Sequence, residues 1–296
     1  MLEFRRIEIS DKIWVDELLQ YSDFRGAEYN FTNLFIWEPV FGSRIGRYKD
    51  FLILRSGEGE NTRYLFPAGK GDYRDVLNAL RDDAKSRGCR LAIMAIPKEM
   101  LPLLSEIYGS DVEFTPARDS FDYIYESEKL ITLSGKKLQP KRNHLQRFKE
   151  LPGWSYEEIS EANLQECVNF TEEWCIESGG CDGDKSLASE LCAVGKALTH
   201  FSDLKLKGGL LRLDGKVVAY SMGEKLNSDT FVVHIEKAKV SLRGCYQMIN
   251  REFAEREARA FTYINREDDA GDEGLRRAKT SYYPVFMQEK FFAVIN

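Results

Sequence analysis

A chain of 296 residues exceeds what one hydrophobic core ordinarily organises, so two domains of about 130 to 150 residues each are expected. Apolar residues at 43% and aromatics at 12% exclude a disordered or fibrous chain, and a net charge of −6 excludes a broadly basic coat for nucleic acid, leaving only local basic patches. The opening MLEFRRIEIS lacks the order of a signal peptide and no run reaches the roughly 20 apolar residues that span a bilayer, so a cytoplasmic protein is expected.

In chain order, helices are expected at Ile13 to Tyr21 and Asn30 to Val40, then a hairpin at Ile45 to Arg55 turning at Lys49-Asp50, and a strand at Arg63 to Phe66. After PAGKGD (Pro67 to Asp72) come a helix at Tyr73 to Arg87, the strand Leu91 to Ile96, a helix at Lys98 to Tyr108 and strands near Val112 and Tyr123. A basic helix spans Ser134 to Glu150. Beyond it, NLQECVNFTEEWCIES carries a helical stripe at Leu164, Cys167, Val168, Phe170 and Trp174, the glycine-rich ESGGCDGD forms a loop, and a second helix covers Leu187 to Phe201. Asp214-Gly215 supplies a tight turn between strands Gly209 to Leu213 and Lys216 to Leu226, and Thr230 to Ala238 completes a meander. A helix at Arg243 to Ala258, a strand at Phe261 to Asn265, a helix at Asp272 to Ser281 and strands around Tyr283 and Phe291 close the chain. The first half echoes this order without residue identity, which suggests a duplication.

Six cysteines (Cys89, Cys167, Cys175, Cys181, Cys192, Cys245) contain no CxxC pair and only three histidines accompany them, so six reduced thiols are expected, with neither a metal site nor a disulfide framework.

The element order is similar to the GNAT acyltransferase fold, and a tandem pair of such units resembles the Fem-type peptidoglycan aminoacyltransferases and the soluble domain of phosphatidylglycerol lysyltransferases. The residues carrying this resemblance are GKKLQPKRNHLQRF (Gly135 to Phe148), FVVHIEKA (Phe231 to Ala238), RGCYQMINREFA (Arg243 to Ala254) and YINREDDAGDEGLRRAKTSYYP (Tyr263 to Pro284). The resemblance implies an α/β protein with mixed sheets, arranged as a GNAT-like domain at 1–130, a basic linker helix at 131–154 and a GNAT-like active-site domain at 155–296. It also implies an enzyme that transfers an aminoacyl or acyl group, with aminoacyl-tRNA or acyl-CoA as donor and no covalently bound cofactor. An acyl-CoA-dependent N-acetyltransferase and a noncatalytic ligand- or RNA-binding module are the alternatives.

On strand 231–238 alternation puts His234 and Glu236 on one face, where His234 would deprotonate an acceptor and Glu236, or Glu224 on the preceding strand, would orient it. Arg243 and Gly244 open the next helix and would offer its positive end to a phosphate of the donor, with Arg276 and Lys279 adding charge three residues apart on a later helix. Asn265, Glu267 and Asp268 leave a strand end, where α/β sheets tend to place ligand contacts, and would hold the acceptor or an aminoacyl ammonium. Lys136, Lys137, Lys141 and Arg142 would contact RNA or another anion; a helix making ordinary salt bridges is the alternative. The acceptor would be a small molecule, a peptide or a lipid headgroup. PAGKGD reads as a glycine-bearing turn, and Tyr123 and Tyr125 read as core. No Gly-x-Ser-x-Gly elbow or Cys/His nucleophile signature occurs, so direct attack on the donor is expected, without a covalent enzyme intermediate.

Overall fold

The structure is a computed structural model that describes residues 2–177 and 185–295. The chain divides into two compact units that are not consecutive in sequence: residues 1–122, 267–276 and 287–296 form the first, and 123–266 with 277–286 form the second.

The first unit begins with helices α1 (Lys12–Ser22) and α2 (Phe31–Phe41). The strands β1 (Arg44–Tyr48), β2 (Phe51–Ser56), β3 (Arg63–Leu65) and β4 (Ala68–Gly69) follow. Helix α3 (Tyr73–Ser86) starts where the Asp72 side chain accepts from the Arg74 N–H at 2.9 Å, and buries Val76, Leu77, Leu80 and Ala84 along one face. Strand β5 (Leu91–Pro97), helix α4 (Leu101–Tyr108) and strand β6 (Val112–Pro116) complete this stretch. PAGKGD, expected as a turn, instead gives Ala68 and Gly69 to the short strand β4, which pairs with β2 so closely that a Cβ on Gly69 would lie 2.0 Å from the Asp50 carbonyl oxygen, and the chain bends only at Lys70 and Gly71.

The second unit takes β7 (Asp122–Glu126), α5 (Ser127–Thr132), α6 (Gln139–Lys149), β8 (Trp154–Glu158), α7 (Leu164–Glu177), α8 (Lys185–Thr199) and α9 (Phe201–Leu204). The meander β9 (Lys207–Leu213), β10 (Lys216–Lys225) and β11 (Thr230–Ala238) follows, turning between β9 and β10 through Asp214 at φ 50° and Gly215 at φ 78°. Helix α10 (Cys245–Phe253), β12 (Tyr263–Asn265), α11 (Glu273–Thr280) and β13 (Phe286–Gln288) precede β14 (Lys290–Ile295).

Both sheets are mixed. The first runs β1-β2-β3-β5-β14-β6, and the second β13-β7-β12-β11-β10-β9-β8. Each contains a meander whose last strand has a parallel neighbour (β3 with β5, β11 with β12), which in turn has an antiparallel one (β5 with β14, β12 with β7). The antiparallel neighbour comes from the distant part of the chain in each case. This exchange is why the units differ from the expected domains at 1–130 and 155–296: β14, the last strand, lies inside the first sheet.

The expected linker helix is also placed differently. Helix α6 belongs to the second unit, where Phe148 is fully buried with Leu211, Ala219, Cys245, Met248 and Ile249. Burial of one such ring contributes about 1.5–3 kcal/mol, enough to fix the helix on its own sheet.

Among the described residues no helix is long and apolar enough to cross a membrane. The expectation of six reduced thiols is corrected at Cys175, which is disulfide-bonded, because pairing follows distance in space and not CxxC spacing. Cys89, Cys167, Cys192 and Cys245 are free, and Cys181 lies outside the described residues.

In the first unit, Lys290 on β14 is 3% exposed and its Nζ lies 2.7 Å from both Asp122 and Glu28. Burial pushes the Glu28 carboxyl up to about 7, with Lys290 opposing. A carboxyl raised in the folded state binds its proton more tightly there, so its contribution is complete below its unfolded value and is lost as pH rises towards 7. Urea unfolding of the wild type should therefore show stability falling between pH 5 and 7.5, and Glu28→Gln should flatten that slope; an equal slope in the variant would refute the assignment.

Candidate active site

The polar core of the second unit is built on Arg266, the residue after β12. Its N–H continues the sheet by donating to the Tyr123 carbonyl at 3.0 Å, and its Nη2 donates to Glu236 of β11 at 2.8 Å. The second oxygen of Glu236 accepts from Asn250 Nδ2 of α10 at 3.1 Å. One carboxylate thus holds a guanidinium and an amide in fixed orientations, with the Arg266 and Glu236 side chains only 12% and 11% exposed. Burial works against the charge on Arg266, but Glu236 and the tyrosines outweigh it and the net effect is to raise its pKa.

Two atoms of this network remain unused. Arg266 Nη1 and Asn250 Oδ1 are buried and have no hydrogen-bond partner. A buried polar group left unsatisfied costs about 1–3 kcal/mol, so a donor and an acceptor held open on neighbouring side chains call for a polar ligand.

Aromatic rings and further cations frame the site. The Arg266 guanidinium lies 5.0 Å from the Tyr282 ring centre and 5.8 Å from that of Tyr125, and Lys141 Nζ of α6 stands 4.1 Å from the Tyr282 ring centre. Burial first, then the Arg266 charge, lowers the pKa of Lys141. Lys279 Nζ donates to the Arg266 carbonyl at 2.6 Å, and Tyr125 donates from its hydroxyl to the Lys279 carbonyl at 2.7 Å.

The structure brings His234 to Glu224, one of its two expected partners, with Nε2 3.4 Å from Oε1, and gives Glu236 to Arg266 and Asn250 instead. The face shared by His234 and Glu236 is lost because His234 is an extra residue: Ile235 pairs with Met222 and Val233 with Gly223, leaving His234 without a Cα partner. Asn265 is fully buried in β12. Glu267 and Asp268 belong to the first unit, where Glu267 accepts from Asn33 at 3.3 Å and Asp268 accepts from the Ala270 N–H at 3.1 Å. Arg276 also lies there, donating to Asp269 at 2.9 and 2.8 Å and to Asp119 at 2.7 Å, while Lys279 belongs to the second unit.

Gly244 does not offer an open cradle. It has φ 88°, and a Cβ on it would lie 2.2 Å from the His144 carbonyl oxygen, so the glycine lets α10 approach the backbone of α6. Arg243 is exposed beside it. In the basic segment Lys136 and Lys137 are exposed, Lys137 lies 5.2 Å from the Tyr283 ring centre, and Arg142 donates to the Leu133 and Gly135 carbonyls. Lys141 alone of the four stands against a ring neighbouring Arg266.

Arg266, Asn250 and Tyr282 escaped the sequence reading, although all three lie inside the motifs quoted for the resemblance. The available signal was an arginine directly after the short strand Tyr263 to Asn265, and an asparagine directly after the apolar pair Met248-Ile249.

A family model described as "Phosphatidylglycerol lysyltransferase, C-terminal" matches residues 19–294. A conserved protein of unknown function from Bacteroides thetaiotaomicron VPI-5482 is 38% identical over the whole of both chains, with a TM-score of 0.95. The C-terminal domain of a putative lysylphosphatidylglycerol synthetase from Agrobacterium fabrum is 14% identical, with a TM-score of 0.70 over 97% of this chain and 92% of that one. FemX is 10% identical, with a TM-score of 0.61 over 100% and 98%. At these identities the last two show the fold. The chain is also 27% identical over 204 residues, 65% of its length, to an uncharacterized protein of Mycoplasmoides gallisepticum, spanning 64% of that relative.

Replacing Gly244 with alanine should destabilise the second unit. A non-glycine residue in this region costs about 1–3 kcal/mol, and the overlap with His144 adds to it. Equilibrium denaturation should give a loss of at least ~2 kcal/mol; an unchanged midpoint would mean that the helices do not meet at this glycine.

Proposed function

The chain belongs to the family of phosphatidylglycerol lysyltransferase C-terminal domains, and from that membership we propose that it is a transferase in which an amine or hydroxyl acceptor attacks the carbonyl of an aminoacyl-tRNA. The observation carrying this reading is the pair of buried, unsatisfied atoms Arg266 Nη1 and Asn250 Oδ1. An aminoacyl ester complements both, since its carbonyl oxygen accepts a hydrogen bond and its amino group donates one.

In the proposed reaction Arg266 Nη1 donates to the carbonyl oxygen and holds it more strongly as attack turns it into an oxyanion. Asn250 Oδ1 accepts from the amino group and fixes the aminoacyl end. Glu236 positions both and is not free to act as the base. The acceptor forms its new bond to the carbonyl carbon while the ester bond to the ribose oxygen breaks. Lys141, whose pKa burial and Arg266 depress, takes the acceptor's proton and passes it to the departing ribose oxygen, so the lysine ends the step in the state in which it began. Orientation of the two substrates supplies the rest of the acceleration, with no covalent enzyme intermediate.

The other expected residues have lesser parts in this reading. Lys279 braces the Arg266 backbone, and His234 with Glu224 forms a separate acid–base pair on the same sheet. The acyl-CoA alternative draws no support from Gly244, whose open side is taken by His144. The acceptor class proposed is a lipid headgroup, peptide or small molecule bearing an amine or hydroxyl.

The test is transfer of a labelled amino acid from charged tRNA to phosphatidylglycerol vesicles or to a soluble amine. Arg266→Lys should reduce kcat by about 10²-fold or more, as does removal of an oxyanion donor elsewhere. Full activity in folded Arg266→Lys and Asn250→Ala proteins would overturn the reading.

The pH dependence gives a separate check. A base must be neutral to act, so the rate should rise with pH through a lysine value below the usual 10.5, and Lys141→Arg should remove that rising limb. An identical profile in the variant would exclude Lys141 as the base.

A further inference from the structure

We propose that the first unit carries a second binding site, an arginine-lined cleft that takes a phosphate- or pyrophosphate-bearing small molecule. The cleft, about 860 Å³ in volume, is lined by Phe4, Arg5, Trp14, Arg47, Arg55 and Arg87. That volume lies within the range of small-molecule pockets. Glu3 is the one acidic residue on its wall.

The cleft arises from how the N-terminal segment joins the sheet. Arg5 and Ile45 exchange backbone hydrogen bonds at 2.9 and 2.8 Å, which lays residues 2–5 along the outer side of β1. Gly46 makes this possible, because a Cβ there would lie 2.3 Å from the Glu3 carbonyl oxygen.

Its cations are not equivalent. Arg5 is held by Asp11, Arg87 by Asp83 at 2.8 Å and Arg47 by Asp50 at 3.2 Å. Arg55 has instead the Phe4 ring, whose centre lies 5.4 Å from its guanidinium carbon, and its Nε is buried with no hydrogen-bond partner. Directly opposite Arg55 in the sheet is Tyr64, whose hydroxyl donates to the same Asp83 that holds Arg87. Arg55 is therefore fixed beside a rigid, already neutralised pair.

A half-buried guanidinium with a spare donor is a strong site for an oxyanion, since a fork of N–H groups matches phosphate geometry. Arg5 and Arg87 each donate from two of their three nitrogens, leaving further N–H groups for a multiply charged ligand. Phe4 and Trp14 give an apolar wall for its body; Trp14 is held in place by its Nε1 donating to Asp11 at 2.8 Å. Pyrophosphate, with several anionic oxygens, suits this arrangement better than a single carboxylate.

Isothermal titration of the full chain with inorganic phosphate, pyrophosphate and ADP tests the proposal, with acetate and sodium chloride at matched ionic strength as controls. Saturable binding of pyrophosphate and ADP, with each displacing the other, is expected. Arg55→Gln should weaken both by about tenfold or more, and Arg5→Gln, at a more exposed position, should weaken both several-fold. Absence of saturable binding by all three phosphates would overturn the proposal. So would unchanged affinity in a folded Arg55→Gln protein or, should that variant not fold, in Arg5→Gln. None of these variants touches Arg266, Asn250 or Lys141, so failure here leaves the transferase reading standing, and loss of transfer there leaves this one.

Discussion

The second unit is organised around a charge that cannot be left alone. A guanidinium buried as deeply as that of Arg266 requires a counterion, and Glu236 meets the requirement only because β11 and β12 run parallel, with Val232 paired to Asn265, one residue before Arg266. Breaking such a pair by removing one partner typically costs about 3–5 kcal/mol, because the remaining charge stays buried. Strand order, the placing of Asn250 on α10 and the packing of Tyr125 and Tyr282 around the guanidinium all serve this one contact. The same interaction leaves a buried donor and a buried acceptor without partners.

Local structure was largely legible in the sequence. Asp214-Gly215 specified a turn with two positive φ angles, the helix expected at Tyr73 to Arg87 is α3, and the β-branched run Thr230 to Ala238 specified β11 with the bounds observed. Those signals are carried by neighbours in sequence. The grouping into units was not legible, because it depends on pairings such as Ala293 with Ile93 and Ile264 with Tyr125, which join residues more than a hundred positions apart. Nothing in the composition near 130 or 155 marks the absence of a boundary there.

The site was legible in part for a related reason. Glu236 was singled out as a titratable group on an apolar strand, and Lys141 only as one of four cations expected to contact RNA or another anion, but alternation cannot foresee a bulge. One extra residue at His234 sends its side chain to Glu224 and leaves Glu236 to Arg266. Gly244 shows the converse difficulty: a glycine opening a helix reads equally as a phosphate cradle or as room for another backbone, and only the position of His144 decides. Glu267 and Asp268, expected to hold the acceptor, and Arg276, expected to bind the donor, all belong to the first unit, where Arg276 is held by Asp269 and Asp119.

The position of β14 also bears on how the molecule is made. The first sheet needs residues 290–295 between β5 and β6, so this unit has a gap in its middle for as long as the ribosome is still elongating through the other one. The newborn N-terminal stretch must wait with the facing edges of β5 and β6 unpaired, while the second unit's residues have nearly all emerged. Its closure is thus a late event that depends on the tail threading home, and a nascent chain stalled before residue 290 would expose the open seam to any chaperone or neighbouring strand within reach.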